Sequence, residues 1–414
     1  MSKKVVYLLI IVILFLGGCV MFKNKNNHVE EPAKVTRDLK EYSVDDFNLK
    51  LIKTVNSGYE SNYLISPYSI EIALNMLKEG TNGDTLNELK NVLNERDIPD
   101  LTNDKVKIAN AMFIKKTYKD YIEEVFYNNL KEKYNSEIIY DEFSTPKVIN
   151  SWVKKKTDSM IPKILNDISK DFVLGLANAI AIDAKWNSTF DCNSTIESVF
   201  TRVDNSKINV QMMHKTYETE NYKYFEDVNS KGIIIPYENN LEFVGILPND
   251  TIDGYVNAMT KDTIRNIDKN TTNASNDVHI LLSLPRFSYS FDLDNFKDVL
   301  KHMGINSIFD EDNADFTNII SKKNMNKLNM NNLYVSTAIH KTYIDLNESG
   351  TKAAAVTYFG LMKSTAVAPK AYKQIEINFD KPFIYMIRDS ETKEILFFGT
   401  VYEPNLWNGS TCED

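Results

Sequence analysis

Glu348-Ser-Gly-Thr-Lys-Ala-Ala-Ala-Val-Thr-Tyr-Phe-Gly360 decides how this chain is read. A strand-like run, Tyr334 to Leu346, precedes it. A second strand run begins at Gln374 and ends at Asp380-Lys-Pro-Phe383. The side chains after the glutamate are small at first (Gly350, then Ala353, Ala354 and Ala355) and then strand-forming, and no proline stands before Pro369. Such a segment is able to live as an exposed loop and as a buried strand. A protein that used both states would store free energy in the first and release it when the loop is cut.

The surrounding chain can support a large core. Of its 414 residues, 43% are hydrophobic and 25% charged, which is globular composition. A net charge of −9 speaks against a nucleic-acid partner, which needs a basic face.

The N-terminus has the order of an export signal. Lys3 and Lys4 precede an apolar run from Val5 to Leu16, and Leu16-Gly-Gly-Cys19 closes it. The run is short for a membrane span. Leu-Gly-Gly-Cys resembles the bacterial lipobox, which implies acylation at Cys19, export, and a lipid anchor in the cell membrane with the domain facing the periplasm or the cell surface. A plain signal peptide or an anchor helix is the alternative. On this reading residues 1–18 are a lipoprotein signal peptide, and 19–37 are the lipidated Cys and a polar tether. Residues 38–404 are one domain without linker or repeat, and 405–414 a C-terminal tail. Cys192 and Cys412 remain. In an exported protein they could pair or stay as two thiols, and the sequence leaves both open.

Helical spacing dominates the first half. It predicts helices over Val44–Ser57, Ser69–Lys78 and the turn after Asp84, then over Asp120–Tyr134 and Thr145–Met160. Lys105–Phe113 reads as a strand; the long apolar run Phe172–Trp186 fits a buried strand, though periodicity alone also allows a helix. Strand patterns dominate the second half, at Lys223-Tyr-Phe225, Gly232–Tyr237, Leu241–Leu247, His279–Leu284, Tyr334–Leu346, Gln374–Phe379 and Ile395–Val401. One helix is expected among them, near Asp294–Met303. Helices early and strands late define an α+β fold.

No catalytic constellation emerges. His28, His214, His279, His302 and His340 contain no pair within a helical turn, so no short metal motif exists. The chain has neither a phosphate loop nor a Gly-x-Ser-x-Gly elbow, and nothing local activates Cys192. The expectation is a protein that is not an enzyme, with no metal and no cofactor.

Separate blocks, in order, resemble the serpin family from about Val44 to Pro404. They are Asn62-Tyr-Leu-Ile-Ser-Pro-Tyr-Ser-Ile70 with Ala73-Leu-Asn-Met-Leu77, Gly80-Thr-Asn-Gly-Asp-Thr85, Ala109-Asn-Ala-Met-Phe113, Ile149-Asn-Ser-Trp152, Lys185-Trp186, Phe379-Asp-Lys-Pro-Phe383 and Phe398-Gly-Thr-Val401. The resemblance implies three β-sheets, roughly eight to nine helices and an exposed reactive loop. It also implies suicide inhibition of serine endopeptidases, with cysteine endopeptidases as a further target class. The protease acylates itself on the loop, and the freed loop inserts as a new central strand of the largest sheet. The protein would act as a monomer.

Site residues follow from the same resemblance. Glu348, Gly350, Thr351, Ala353, Ala354 and Ala355 match the hinge. Ser66, Ser69, Asn178 and His340 match the polar cluster called the shutter. Trp186, Arg286 and Glu348 match the breach, where the loop first enters. Arg286 stands where the family usually has lysine. Strand alternation with Thr351 inward turns Ala353, Ala355, Thr357, Phe359 and Leu361 inward too, and leaves Lys352 outside. Counting from Glu348 puts the attacked bond at Ser364-Thr365, which suits elastase-like or subtilisin-like proteases. Lys363-Ser364 would suit a trypsin-like enzyme, and Met362-Lys363 is a further alternative. A non-inhibitory serpin, acting as a binding or structural module, is the competing reading.

Overall fold

A computed structural model of the chain describes residues 8–16, 37–43, 46–93, 96–103, 105–159, 161–182, 184–351 and 372–409, for 8–16 the backbone alone. In chain order the first half contains β1 (Leu8–Leu16), α1 (Phe47–Gly58), β2 (Tyr63–Ile65), α2 (Pro67–Lys78), α3 (Gly83–Leu93), β3 (Val106–Lys115), α4 (Glu124–Lys133), β4 (Glu137–Asp141), α5 (Lys147–Lys156), β5 (Leu174–Ile182), β6 (Ala184–Lys185), β7 (Thr195–Thr201) and β8 (Lys207–Tyr217). It continues with β9 (Lys223–Glu226), β10 (Ser230–Pro236), β11 (Leu241–Pro248), α6 (Ile252–Ala258), α7 (Lys261–Lys269), β12 (Thr271–Asn273), β13 (Val278–Pro285), β14 (Phe287–Asp292), α8 (Phe296–His302), α9 (Lys322–Lys327), β15 (Val335–Leu346), β16 (Gly350–Thr351), β17 (Lys373–Asn378), β18 (Phe383–Asp389) and β19 (Ile395–Val401).

Three large sheets result: six strands in the order β14-β15-β1-β5-β3-β4, seven in the order β12-β9-β10-β11-β18-β19-β2, and four in the order β17-β13-β8-β7. A two-stranded ribbon, β16 with β6, prolongs the first of these. The mixed helices and sheets are the α+β architecture expected from the sequence.

Strand β5 shows why the largest sheet is buried on both faces. All nine of its residues are buried. Ala177, Ala179 and Ala181 pack beneath α5 with Ile149, Trp152 and Val153, while Leu174, Leu176, Ile180 and Ile182 join the main core on the other face. Small residues on one side let a helix cover the sheet closely, and large ones on the other fill the interior.

Several elements differ from the sequence reading. The second half holds four helices among the described residues, α6 to α9, where one was expected. They have six to nine residues each, and two turns carry too few apolar positions to display a period. The helix expected over Asp120–Tyr134 begins only at Glu124, after a 3-10 turn at Lys116–Tyr121. The one expected over Thr145–Met160 spans Lys147–Lys156.

The apolar N-terminal run forms β1, a strand at the centre of the largest sheet. It runs antiparallel to both neighbours, with Leu9 opposite Tyr343 on β15 and Leu8 to Leu16 opposite Ile182 to Leu174 on β5.

Candidate functional site

The hinge is built where β15 ends. A tight turn bonds Asn347 and Gly350 reciprocally through their backbones, at 3.0 and 3.1 Å, and reverses the chain. Gly350 and Thr351 then pair antiparallel with Lys185 and Ala184. Gly350 has φ +136°, and a Cβ there would stand 2.3 Å from the Ala184 carbonyl oxygen, so only glycine fits.

Three aromatic or charged side chains hold this turn. The Trp186 indole N–H donates to the Asn347 carbonyl at 2.9 Å, and the Trp186 backbone N–H to Ser349 at 3.1 Å. The indole stacks on Tyr237 at 4.4 Å between centroids, and Phe243 meets it edge-on. Tyr237 reaches the Thr351 hydroxyl at 2.8 Å. Burial pushes the Tyr237 phenol well above its usual range, so it stays protonated and can serve as donor.

Glu348 is the second anchor. Arg286 Nε donates to its two carboxylate oxygens at 2.7 and 2.8 Å, and a further guanidinium nitrogen lies 2.7 Å away. Both residues are only 5% exposed. The Thr195 hydroxyl donates to the same carboxylate, and the Glu348 carbonyl accepts the Phe190 backbone N–H at 2.8 Å. Arg286 also donates to Gln211 Oε1 at 3.2 Å. A buried pair of this kind contributes little net stability, because desolvation offsets attraction. It does fix the position of the turn, since neither partner tolerates the loss of the other.

The polar cluster lies deeper, at the N-terminus of α2. Ser66 caps that helix, accepting from the Ser69 backbone N–H at 3.0 Å, with Pro67 at the first helical position. The Ser69 hydroxyl donates to Asn178 Oδ1. Asn178 Nδ2 donates to Asn110 at 2.7 Å, and Asn110 to the Tyr134 carbonyl at 2.7 Å. His340 Nε2 accepts the Ser66 backbone N–H at 3.3 Å, and complete burial pulls its imidazole down to about 3. Asn178 and His340 do not meet. Val12 of β1 stands opposite both, one on each side.

That separation defines the lane. Carrying the Gly350–Lys185 register down β5 one residue at a time would set Ala353 opposite Ile182 and Leu361 opposite Leu174. Those partners are held by Leu8 and Leu16. Strand β1 therefore fills, with the same polarity, the lane into which Gly350 and Thr351 point.

The expected hinge, breach and shutter residues Glu348, Gly350, Thr351, Trp186, Arg286, Ser66, Ser69, Asn178 and His340 are each present in these two clusters. Ala353, Ala354 and Ala355, the bait residues Met362, Lys363, Ser364 and Thr365, and Cys19 lie outside the described residues. The sequence reading missed Asn110, Thr195, Gln211 and Tyr237. Asn110 carried a signal, a lone amide inside the apolar run Ile108–Ile114. The other three are ordinary strand or loop residues that only tertiary packing brings to the hinge.

Three large sheets, with a chain reversal latched where β15 ends and β1 lying between β5 and β15, are the frame of this site. The family profile described as Serpin (serine protease inhibitor) matches residues 42–404. The chain is 27% identical to human neuroserpin, over 89% of this chain and 93% of that protein. It is 28% identical to the leukocyte elastase inhibitor of Xenopus laevis, over 86% and 97%. Its fold superposes on the crystal structure of the thermophilic serpin Tengpin in the native state with a TM-score of 0.71, at 30% identity, covering 89% of this chain and 97% of that one. The chain belongs to the serpin family, whose members are generally protease inhibitors rather than catalysts.

Proposed function

We propose that this serpin is an irreversible suicide-substrate inhibitor of serine endopeptidases, and of some cysteine endopeptidases, anchored outside the cell by a lipid on Cys19. The observation that carries the reading is the hinge. Gly350 and Thr351 already extend the largest sheet beside Ala184 and Lys185, and the residues that follow are Ala353, Ala354 and Ala355. A small-residue run can enter a close-packed sheet without overpacking it.

Inhibition needs a free lane. In the full chain β1 holds it, and the leader reading of residues 1–18 gives a way to clear it. Cleavage before Cys19 removes β1 whole, and the lane between β5 and β15 closes or receives the loop. The precursor is then unable to trap a protease, and the exported product is able to.

The test uses residues 19–414 and the full chain side by side. Each is incubated with trypsin and with an elastase, complexes are resolved in SDS, and the released C-terminal peptide is sequenced. An SDS-stable complex of the shorter chain, with cleavage between Met362 and Thr365, is the expected result. Cleavage in that window without a complex, and without a rise in thermal midpoint, points instead to a non-inhibitory serpin that binds or scaffolds.

A further inference from the structure

Lys215 of β8 carries a charge near the hinge, and among the described residues no carboxylate pairs with it. Its strand lies between β7 and β13. Alternation sets Lys215 on the same face as Met213 and Tyr217, with Met213 opposite Thr195 and Lys215 opposite Leu282. The ammonium ends against the turn that follows Asn187.

Three acceptors receive it there. Lys215 Nζ donates to the Ser188 carbonyl at 2.8 Å, to the Ser188 hydroxyl at 2.7 Å and to the Thr189 carbonyl. An ammonium has three protons, which match three acceptors. The charge also lies over the Phe190 ring at 5.6 Å and the Tyr217 ring at 5.4 Å, and Tyr222 stacks on Tyr217 at 3.9 Å. Burial pulls the amine down to about 8, so at neutral pH it still carries the three-donor form.

The turn so held carries hinge contacts at both ends. On one side Trp186 N donates to the Ser349 carbonyl and Asn187 N to the Pro236 carbonyl, each at 3.1 Å. On the other, Phe190 N donates to the Glu348 carbonyl at 2.8 Å. Phe190 is buried and meets the Trp186 indole at a steep angle. Between these ends the Ser188 and Thr189 carbonyls accept no backbone N–H among the described residues, so Lys215 is what satisfies them.

We propose that Lys215 is a positioning residue for the hinge: it clamps the Ser188–Phe190 turn and thereby holds the Phe190 amide on the Glu348 carbonyl. It makes no hydrogen bond to a hinge residue and acts through the turn. Without the clamp the two carbonyls turn to water, the Phe190 N–H releases Glu348, and residues 348–351 loosen while the Arg286–Glu348 pair stays in place. In an inhibitor that release would change the ratio of trapped to hydrolysed loop. This consequence rests on the proposed function; the clamp does not.

The test therefore reads hydrogen exchange of the full chain at neutral pH with no protease present. All proteins are kept oxidised, since Cys192, beyond Phe190, is disulfide-bonded. Lys215→Met keeps an apolar stem and removes every donor. The Phe190 and Gly350 amides should then exchange about tenfold faster through local opening, while Val244, buried in the central strand β11 of the seven-stranded sheet, is unchanged. Lys215→Arg restores charge and donors and should return Phe190 to the wild-type rate. Wild-type exchange at Phe190 in Lys215→Met overturns the proposal. So does a failure of Lys215→Arg to rescue while Val244 stays protected, since packing rather than the cation would then hold the turn. If Lys215→Met unprotects Val244 as well, the exposed Ser188→Ala decides: faster exchange at Phe190 supports the clamp, and an unchanged rate overturns it. A hinge that follows Lys215 in a protein that traps no protease would sink the inhibitor reading and leave the clamp standing.

Discussion

Arg286 and Glu348 form a buried, bidentate ion pair that ties the strand leaving the four-stranded sheet to the turn after β15. The guanidinium reaches both carboxylate oxygens within 2.8 Å. The two residues are 62 positions apart in the chain, so only the fold joins them.

Removing one partner leaves a buried charge alone. Glu348→Gln should destabilise the native state by about 3 kcal/mol, read from urea unfolding, because the Arg286 charge cannot be rehydrated in place. Arg286→Lys keeps the charge and loses the fork, and should cost about 1 kcal/mol. Equal losses in the two variants would show that pairing geometry is immaterial at the latch.

Thr351 faces inward against Tyr237, in a site with no room for charge. If the proposed function holds, Thr351→Arg should be cleaved as a substrate with no SDS-stable complex formed, because a guanidinium would have to enter the core beside β6. Inhibition that persists at the original stoichiometry would refute the insertion mechanism.

Gly350 is needed for its backbone. Gly350→Ala puts a methyl group 2.3 Å from a fixed carbonyl oxygen at φ +136°. The turn should open rather than adjust, at a cost of about 2 kcal/mol. Faster proteolysis between Asn347 and Lys352 in the variant is the measurement.

His340 supplies a pH dependence. Its folded-state value is lowered to about 3 from the ordinary 6.5. Between those limits the unfolded chain takes up the proton and the folded one does not, so stability is full above pH 6.5 and falls as pH drops toward 3. The slope is at most about 1.4 kcal/mol per pH unit. His340→Gln should flatten the curve of unfolding free energy against pH in that window; a parallel curve would show that the imidazole is not held neutral by burial.

Strand β1 precedes residues 38–404 in the chain but pairs with two strands of the largest sheet. Deleting residues 1–18 should let loop cleavage raise the thermal midpoint, since the freed loop gains the lane, whereas the full chain should show little change. Ile11→Pro in the full chain deletes one backbone donor from the strand facing Ala179 and Lys341. It should move the full chain toward the behaviour of the shorter one.

The sequence by itself determined the α+β class and the strands β3, β5, β9, β10, β11, β13, β15, β17 and β19, because these rest on local features: period and strand-forming composition. It placed α8 but not the short helices α6, α7 and α9, whose two turns display too little pattern. It offered no way to see that Thr195, Gln211 and Tyr237 gather at the hinge, since contacts across tens to hundreds of residues leave no local trace. Two decisions belonged to the tertiary structure alone. One is that the N-terminal apolar run lies between β5 and β15. An apolar strand satisfies its backbone groups wherever two strand edges face each other, and only the fold says where that gap is. The other is that Cys192 is bonded rather than free, which depends on the distance between chain segments and on nothing in their spacing along the sequence.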